Sequence, residues 1–281
     1  MAATGTPQWG LFAALTVFVL GTLLALARAS EQVIRDDDPA ADTDQERNWE
    51  WDRDRSLTSE ESPTATDRRD ESTAEGPAPV EDGHQDRHRP PIDTIPAKQL
   101  MANVCLSQGL LGGVVIGGAW ITEIPAAALG LTGAVGRAVV LGSVLGTGLY
   151  AANEAGTRLA DRFDIGYDER LREALAPEST GDWALLLGVV LPIIAGFEEV
   201  LFRGAVIGVF NAAYGIDPWL LAVVSSVLFG YGHGAQGRSG IVVTAGLGFV
   251  LAAGFILTDS LLVVVIAHYL VNAFEFIVHE R

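Results

Sequence analysis

Most of this chain is apolar in long runs, divided by short polar breaks. A helix needs about 20 consecutive apolar residues to cross the hydrocarbon core of a bilayer. Runs of that kind lie at 8–28, 99–121, 138–157, 183–211, 218–235, 240–258 and 260–278. Residues 122–136 are apolar but short and carry Gly and Pro, and they are read as an interfacial or re-entrant piece. Pro192 falls inside the longest run, where a proline breaks or kinks a helix. The pattern therefore predicts an all-α polytopic transmembrane bundle of seven or eight spans. Gly113–Gly117, Gly142–Gly146 and Gly204–Gly208 are small-xxx-small patterns, which let helix backbones approach closely, and they are read as packing points inside the bundle. Asp217 before Pro218 and Asp259 between two runs are read as helix caps.

One stretch departs from this pattern. Residues 29–99 hold 20 Asp/Glu and 9 Lys/Arg, a net −11 of the total −17. Large apolar groups are scarce there, so the segment cannot bury enough surface to offset its chain entropy. The expected organisation is a transmembrane anchor at 1–29, a disordered acidic linker at 30–97 and a polytopic domain at 98–281. Trp49 and Trp51 are the linker's aromatic residues and candidates for touching the membrane surface, while His84 and His88 are read as solvated. Ala27-Arg28-Ala29 resembles a signal-peptidase site, but the N-terminus lacks basic residues and the apolar run is too long for a typical signal. The first span is therefore read as uncleaved. One lysine stands beside 17 arginines, and the acids dominate. Such a balance resembles proteins of salt-loving organisms, although the acidic linker alone also accounts for it. The single cysteine, Cys105, builds no disulfide framework. Alternating seven spans collects most of the arginine on the side holding 29–98, 158–182, 236–239 and Arg281. Positive charge favours the cytoplasm, so the expectation is a cell-membrane protein with its N-terminus outside and its C-terminus inside.

Charge inside the apolar runs narrows the chemistry. Glu198, Glu199 and Arg203 sit in the middle of 183–211, where insertion of each charge costs roughly 2.5–3.5 kcal/mol. Glu199 and Arg203 are four residues apart, on one helix face, and can pair. Glu198 is rotated by about 100° from Glu199 and has no partner within its own helix. Phe229 and His233 share a face of the next helix, and His268 and Asn272 share a face of the last. A carboxylate and an imidazole from different helices can hold and deprotonate a water. A second imidazole and an amide can donate hydrogen bonds to the oxyanion that forms on an attacked carbonyl. The sequence has no His-Glu-x-x-His zinc motif and no Gly-x-Ser-x-Gly elbow, and Tyr167-Asp168 lies in a polar loop with no Gly-x-Gly-Asp after it.

The ordered set Glu-Glu-x-x-x-Arg, Phe-x-x-x-His and His-x-x-x-Asn resembles the CPBP intramembrane endopeptidases, the family of the CAAX prenyl proteases also called Abi. The likeness covers roughly 180–280. It implies a hydrolase in which Glu198 and His233 activate water, His268 and Asn272 stabilise the oxyanion, and Glu199, Arg203 and Phe229 support them. It implies as substrate a membrane-embedded or membrane-anchored protein or peptide, or a prenylated C-terminal tail, met at the lipid bilayer. Nucleic acid is not an expected partner. No cofactor is expected, with zinc on Glu198, His233 and His268 the alternative. The rival readings are a non-catalytic membrane adaptor or immunity-type protein of the same fold, and a small-solute or proton carrier.

Overall fold

The computed structural model describes residues 6–36, 96–161 and 170–280. Residues 37–95, which include most of the expected linker with Trp49, Trp51, His84 and His88, lie outside the described residues, as does Tyr167-Asp168. Every regular element described is helical: α1 (Trp9–Asp36), α2 (Ala97–Ile121), α3 (Val135–Asp161), α4 (Arg170–Ala174), α5 (Thr180–Tyr214), α6 (Pro218–Gly232), α7 (Gly237–Thr258) and α8 (Leu261–His279). Six of them, α1, α2, α3, α5, α7 and α8, are long and apolar enough to cross a membrane. The chain is thus an all-α, multi-pass membrane protein. The run at 218–235 gives only the 15 residues of α6, because the helical backbone stops at His233 (φ −107°, ψ 26°) within a glycine-rich stretch.

No break occurs at Pro192, contrary to the expectation that the long run divides there. The chain instead widens into a π-helical turn over Leu186–Val190 just ahead of the proline, where Leu191 N–H reaches back five residues to the Leu186 carbonyl. Widening relieves the clash between the pyrrolidine ring and the preceding turn. A second π-helical stretch covers Val200–Val209. In each stretch a hydroxyl from a neighbouring helix donates to a backbone carbonyl: Tyr269 to Leu187 at 3.1 Å and Ser225 to Phe202 at 2.8 Å.

α5 is the centre of the bundle, with 50% of its membrane window buried against 22% for α1 and α3 and 17% for α2. It contributes to three apolar clusters. Phe197, Leu201 and Phe202 pack with Phe12 and Val19 of α1, Val115 of α2 and Phe229 of α6. Ile207 packs with Leu251 of α7 and Val264 of α8. Leu186 and Leu191 pack with Met101 of α2, Leu175 and Phe276.

Two of the three small-residue patterns carry close packing. A Cβ on Gly142 would lie 2.7 Å from the Val263 carbonyl oxygen, and one on Gly146 would lie 2.7 Å from that of Ala267, so α3 runs backbone to backbone along α8. Gly204 and Gly208 make room for a 3-10 turn, Ala126–Leu129, in the α2–α3 connection, and Gly208 also faces the Phe255 ring of α7. Gly113 and Gly117 meet nothing within 4 Å, and the expectation that they pack inside the bundle is corrected; Gly112 and Gly118 face α5 and α1 instead. Asp217 caps α6, accepting from Trp219 N–H at 2.9 Å and Leu220 N–H at 3.0 Å. Asp259 does not cap through its carboxylate. It ends α7 in the left-handed region (φ 47°), with Thr132 Oγ1 donating to its carbonyl.

Candidate active site

The central helix carries adjacent carboxylates in different surroundings. Both Glu198 and Glu199 are buried, at 6% and 0% exposure, and so is Arg203 at 0%. Arg203 Nη1 donates to Glu199 Oε1 at 2.8 Å, the i,i+4 pair that the spacing requires. The guanidinium also reaches α7, with Nη2 donating to the Gly248 carbonyl at 2.8 Å, and its Cζ lies 4.7 Å from the centre of the Phe229 ring. A side chain at position 248 would press on that ring, since a Cβ there would stand 2.9 Å from Phe229 Cδ1. Arg203 therefore ties α5, α6 and α7 together at one point.

Glu199 has a second partner. His268 Nδ1 lies 2.7 Å from the same Oε1 that receives Arg203. A carboxylate accepts, so Nδ1 donates and the imidazole presents Nε2 on its other edge. That edge faces Glu198, with Oε2 3.7 Å from Nε2, beyond direct hydrogen-bond reach. Among the described residues, Glu198 Oε2 has no hydrogen-bond partner, and neither do Glu199 Oε2 and Arg203 Nε. Removing charge from water without such partners is costly, and sites that do so are candidates for function.

Phe229 is the hub of the remaining geometry. Its ring stands edge-on to His268, with centres 5.9 Å apart and planes at 84°, and lies 4.7 Å from the His233 ring. His233 Nδ1 lies 2.9 Å from the Phe229 carbonyl. A carbonyl oxygen only accepts, so Nδ1 carries the proton and Nε2 of the neutral ring carries a lone pair. No direct hydrogen bond or ion pair links His233 to Glu198; Phe229 is what connects the two imidazoles. Asn272 is half-buried one turn beyond His268, and its amide makes no hydrogen bond among the described residues. Glu198, Glu199, Arg203, Phe229 and His268 are thus in mutual proximity, His233 adjoins them through Phe229, and Asn272 stands at the edge. Glu198 and Glu199 face opposite nitrogens of one ring and do not converge, and among the described residues no three His, Cys, Asp or Glu are placed to hold a metal ion.

The sequence reading missed four participants. Ser225 and Tyr269 look like ordinary residues of apolar helices, and the Gly248 and Leu187 carbonyls leave no side-chain signature. Pro192 was the one legible trace, since a proline leaves an unfilled carbonyl upstream. Glu275 and His279, near the end of α8, join a network across α3 and α4. Glu275 accepts from Asn153 at 2.6 Å, His279 lies 3.2 Å from Glu154, and Arg172 donates to Glu280 at 2.8 Å.

The molecule is in these terms a helical membrane protein with a carboxylate–imidazole cluster in its interior. Residues 180–274, about a third of the chain, match the family model for Rce1-like type II CAAX prenyl endopeptidases. That segment takes in all seven motif residues, and the matched family model is of the kind to which the ordered motifs pointed, membrane-protease endopeptidases. No curated protein matches the chain, and no solved structure does.

Proposed function

We propose that this protein is an intramembrane endopeptidase that hydrolyses a peptide bond of a membrane-associated protein or a prenylated C-terminal tail without a covalent intermediate. The observation that carries this reading is the contrast between the two carboxylates. Glu199 is held by Arg203 and His268, while Glu198 keeps a buried oxygen with no hydrogen bond, facing His268 Nε2.

In this reading Glu198, with His233 Nε2, takes a proton from water. The hydroxide attacks the scissile carbonyl carbon, and the C=O π pair moves onto oxygen. His268 Nε2–H and the Asn272 amide donate to that oxyanion. For His268 to donate there it must hold protons on both nitrogens, and Glu199 at Nδ1 supplies the counter-charge. The tetrahedral centre then collapses, the C–N bond breaks, and the proton held by Glu198 and His233 passes to the leaving amine. The products are a carboxylic acid and a free amine. The residues suffice for this chemistry without a metal or cofactor. Activity is expected to persist through chelation, and its loss on chelation with recovery on added zinc would replace this mechanism with a metal-assisted one. Seven crossings, with α6 counted, put the two termini on opposite sides, and the arginine-rich side, which positive charge assigns to the cytoplasm, supports an outside N-terminus and a cytoplasmic C-terminus.

The test compares protein termini in membranes of cells expressing wild type or Glu198→Gln at matched levels. New termini that vanish with Glu198→Gln are expected, while the variant folds and inserts as the wild type does. Identical termini from two folded proteins would favour the non-catalytic adaptor.

A further inference from the structure

Tyr269 follows His268 directly on α8, so whatever fixes its hydroxyl also fixes the helical turn that presents the imidazole. That hydroxyl donates to the Leu187 carbonyl on α5 at 3.1 Å. The carbonyl is available for a specific reason. In the π-helical turn, Leu191 gives its N–H to Leu186. The next donor in that register is residue 192, a proline, which has no N–H. Leu187 is left without a donor from its own helix, and a hydroxyl from another helix takes the place.

We propose that Tyr269 is a positioning residue for His268. α8 grips α5 at two separate places, through Tyr269 at Leu187 and through His268 at Glu199. The two grips together fix the depth and rotation of α8, and so the line from His268 Nε2 to Glu198. Pro192 is the other half of the device, because it keeps the Leu187 carbonyl open. The proposal rests on His268 being the oxyanion-stabilising group of the preceding section.

The test uses 15N-histidine-labelled full-length protein in lipid nanodiscs. His268 ring signals are assigned by their loss in His268→Gln. Tyr269→Phe keeps the ring and removes only the hydroxyl. It is expected to shift the His268 Nδ1 and Nε2 signals while leaving those of His279 in place, and to lower kcat about tenfold with KM unchanged. Pro192→Ala restores an N–H that competes for Leu187, and it is expected to shift the same signals in the same direction. The double variant should go no further than the larger single effect, since both changes remove one bond. His268 signals unmoved in folded Tyr269→Phe overturn the proposal. Should Tyr269→Phe not fold, Pro192→Ala decides in its place by the same criterion. The signals need no turnover, so a protein that cleaves nothing still tests the placement. A protein that cleaves with unmoved His268 signals sinks the placement alone.

Discussion

At the scale of single residues, the charges inside α5 stand on complementarity that tolerates little change. Arg203 meets a carboxylate on its own helix, a carbonyl on α7 and an aromatic face on α6. A guanidinium serves all three because it is planar and forked, whereas an ammonium is a compact point charge. Arg203→Lys is therefore expected to lose the Gly248 and Phe229 contacts and lower the thermal midpoint. Arg203→Ala leaves buried Glu199 with His268 alone and removes the ties to α6 and α7; breaking a buried ion pair by removing one partner costs about 3–5 kcal/mol. Thermal unfolding in detergent followed by intrinsic fluorescence checks the order, with wild type most stable, then Lys, then Ala. An Ala variant as stable as wild type would show that Glu199 does not need its partner. The site residues were legible in the sequence because Glu198, Glu199, Arg203, His233, His268 and Asn272 are polar where neighbours are not. Their division of labour was legible only in part. Helix spacing pairs Glu199 with Arg203, but nothing in it says that Glu199 also holds His268 from another helix.

Among helices, the pattern predicted which segments form spans better than how they bend or pack. Uniform apolarity hides helical periodicity, and a stretch such as Val200–Val209 reads the same in α or π winding. For the same reason Gly113–Gly117 and Gly142–Gly146 are indistinguishable as motifs, although only the second pair touches a neighbour. Their difference is measurable. Gly146→Ala places a methyl against the Ala267 backbone and is expected to part α3 from α8, with a lower thermal midpoint and loss of whatever activity depends on His268. Gly113→Ala enters open space and is expected to leave both unchanged. Equal effects from the two substitutions would contradict the α3–α8 contact described above. Pro192 teaches a related lesson: read as a break, it is absorbed by a local widening that leaves α5 continuous.

At the scale of the molecule, α1 is part of the bundle, since Phe12 and Val19 are buried beside Phe197 and Phe229 and the Gln8 N–H bonds to the Thr122 carbonyl. The orientation proposed above makes opposite assignments for two exposed arginines. With Cys105 replaced, Arg238→Cys is expected to react with an impermeant maleimide only after cells are opened, and Arg137→Cys in intact cells. The reverse result would invert the topology. One dimension of α6 has a bearing on the lipid itself. Its 15 residues span about 22 Å at 1.5 Å each, against a hydrocarbon slab of about 30 Å. Trp219 and Tyr231, exposed near its two ends at 42% and 56%, are residues of the kind that anchor at the headgroup level. Drawing the leaflets together is one of the ways a bilayer accommodates a segment so much shorter than its own slab. Thinning of the bilayer beside α6 would bring headgroup water nearer the buried carboxylates than a full-length span would. A reaction that consumes water would find its reagent at such a dimple, beside the helix whose C-cap is His233.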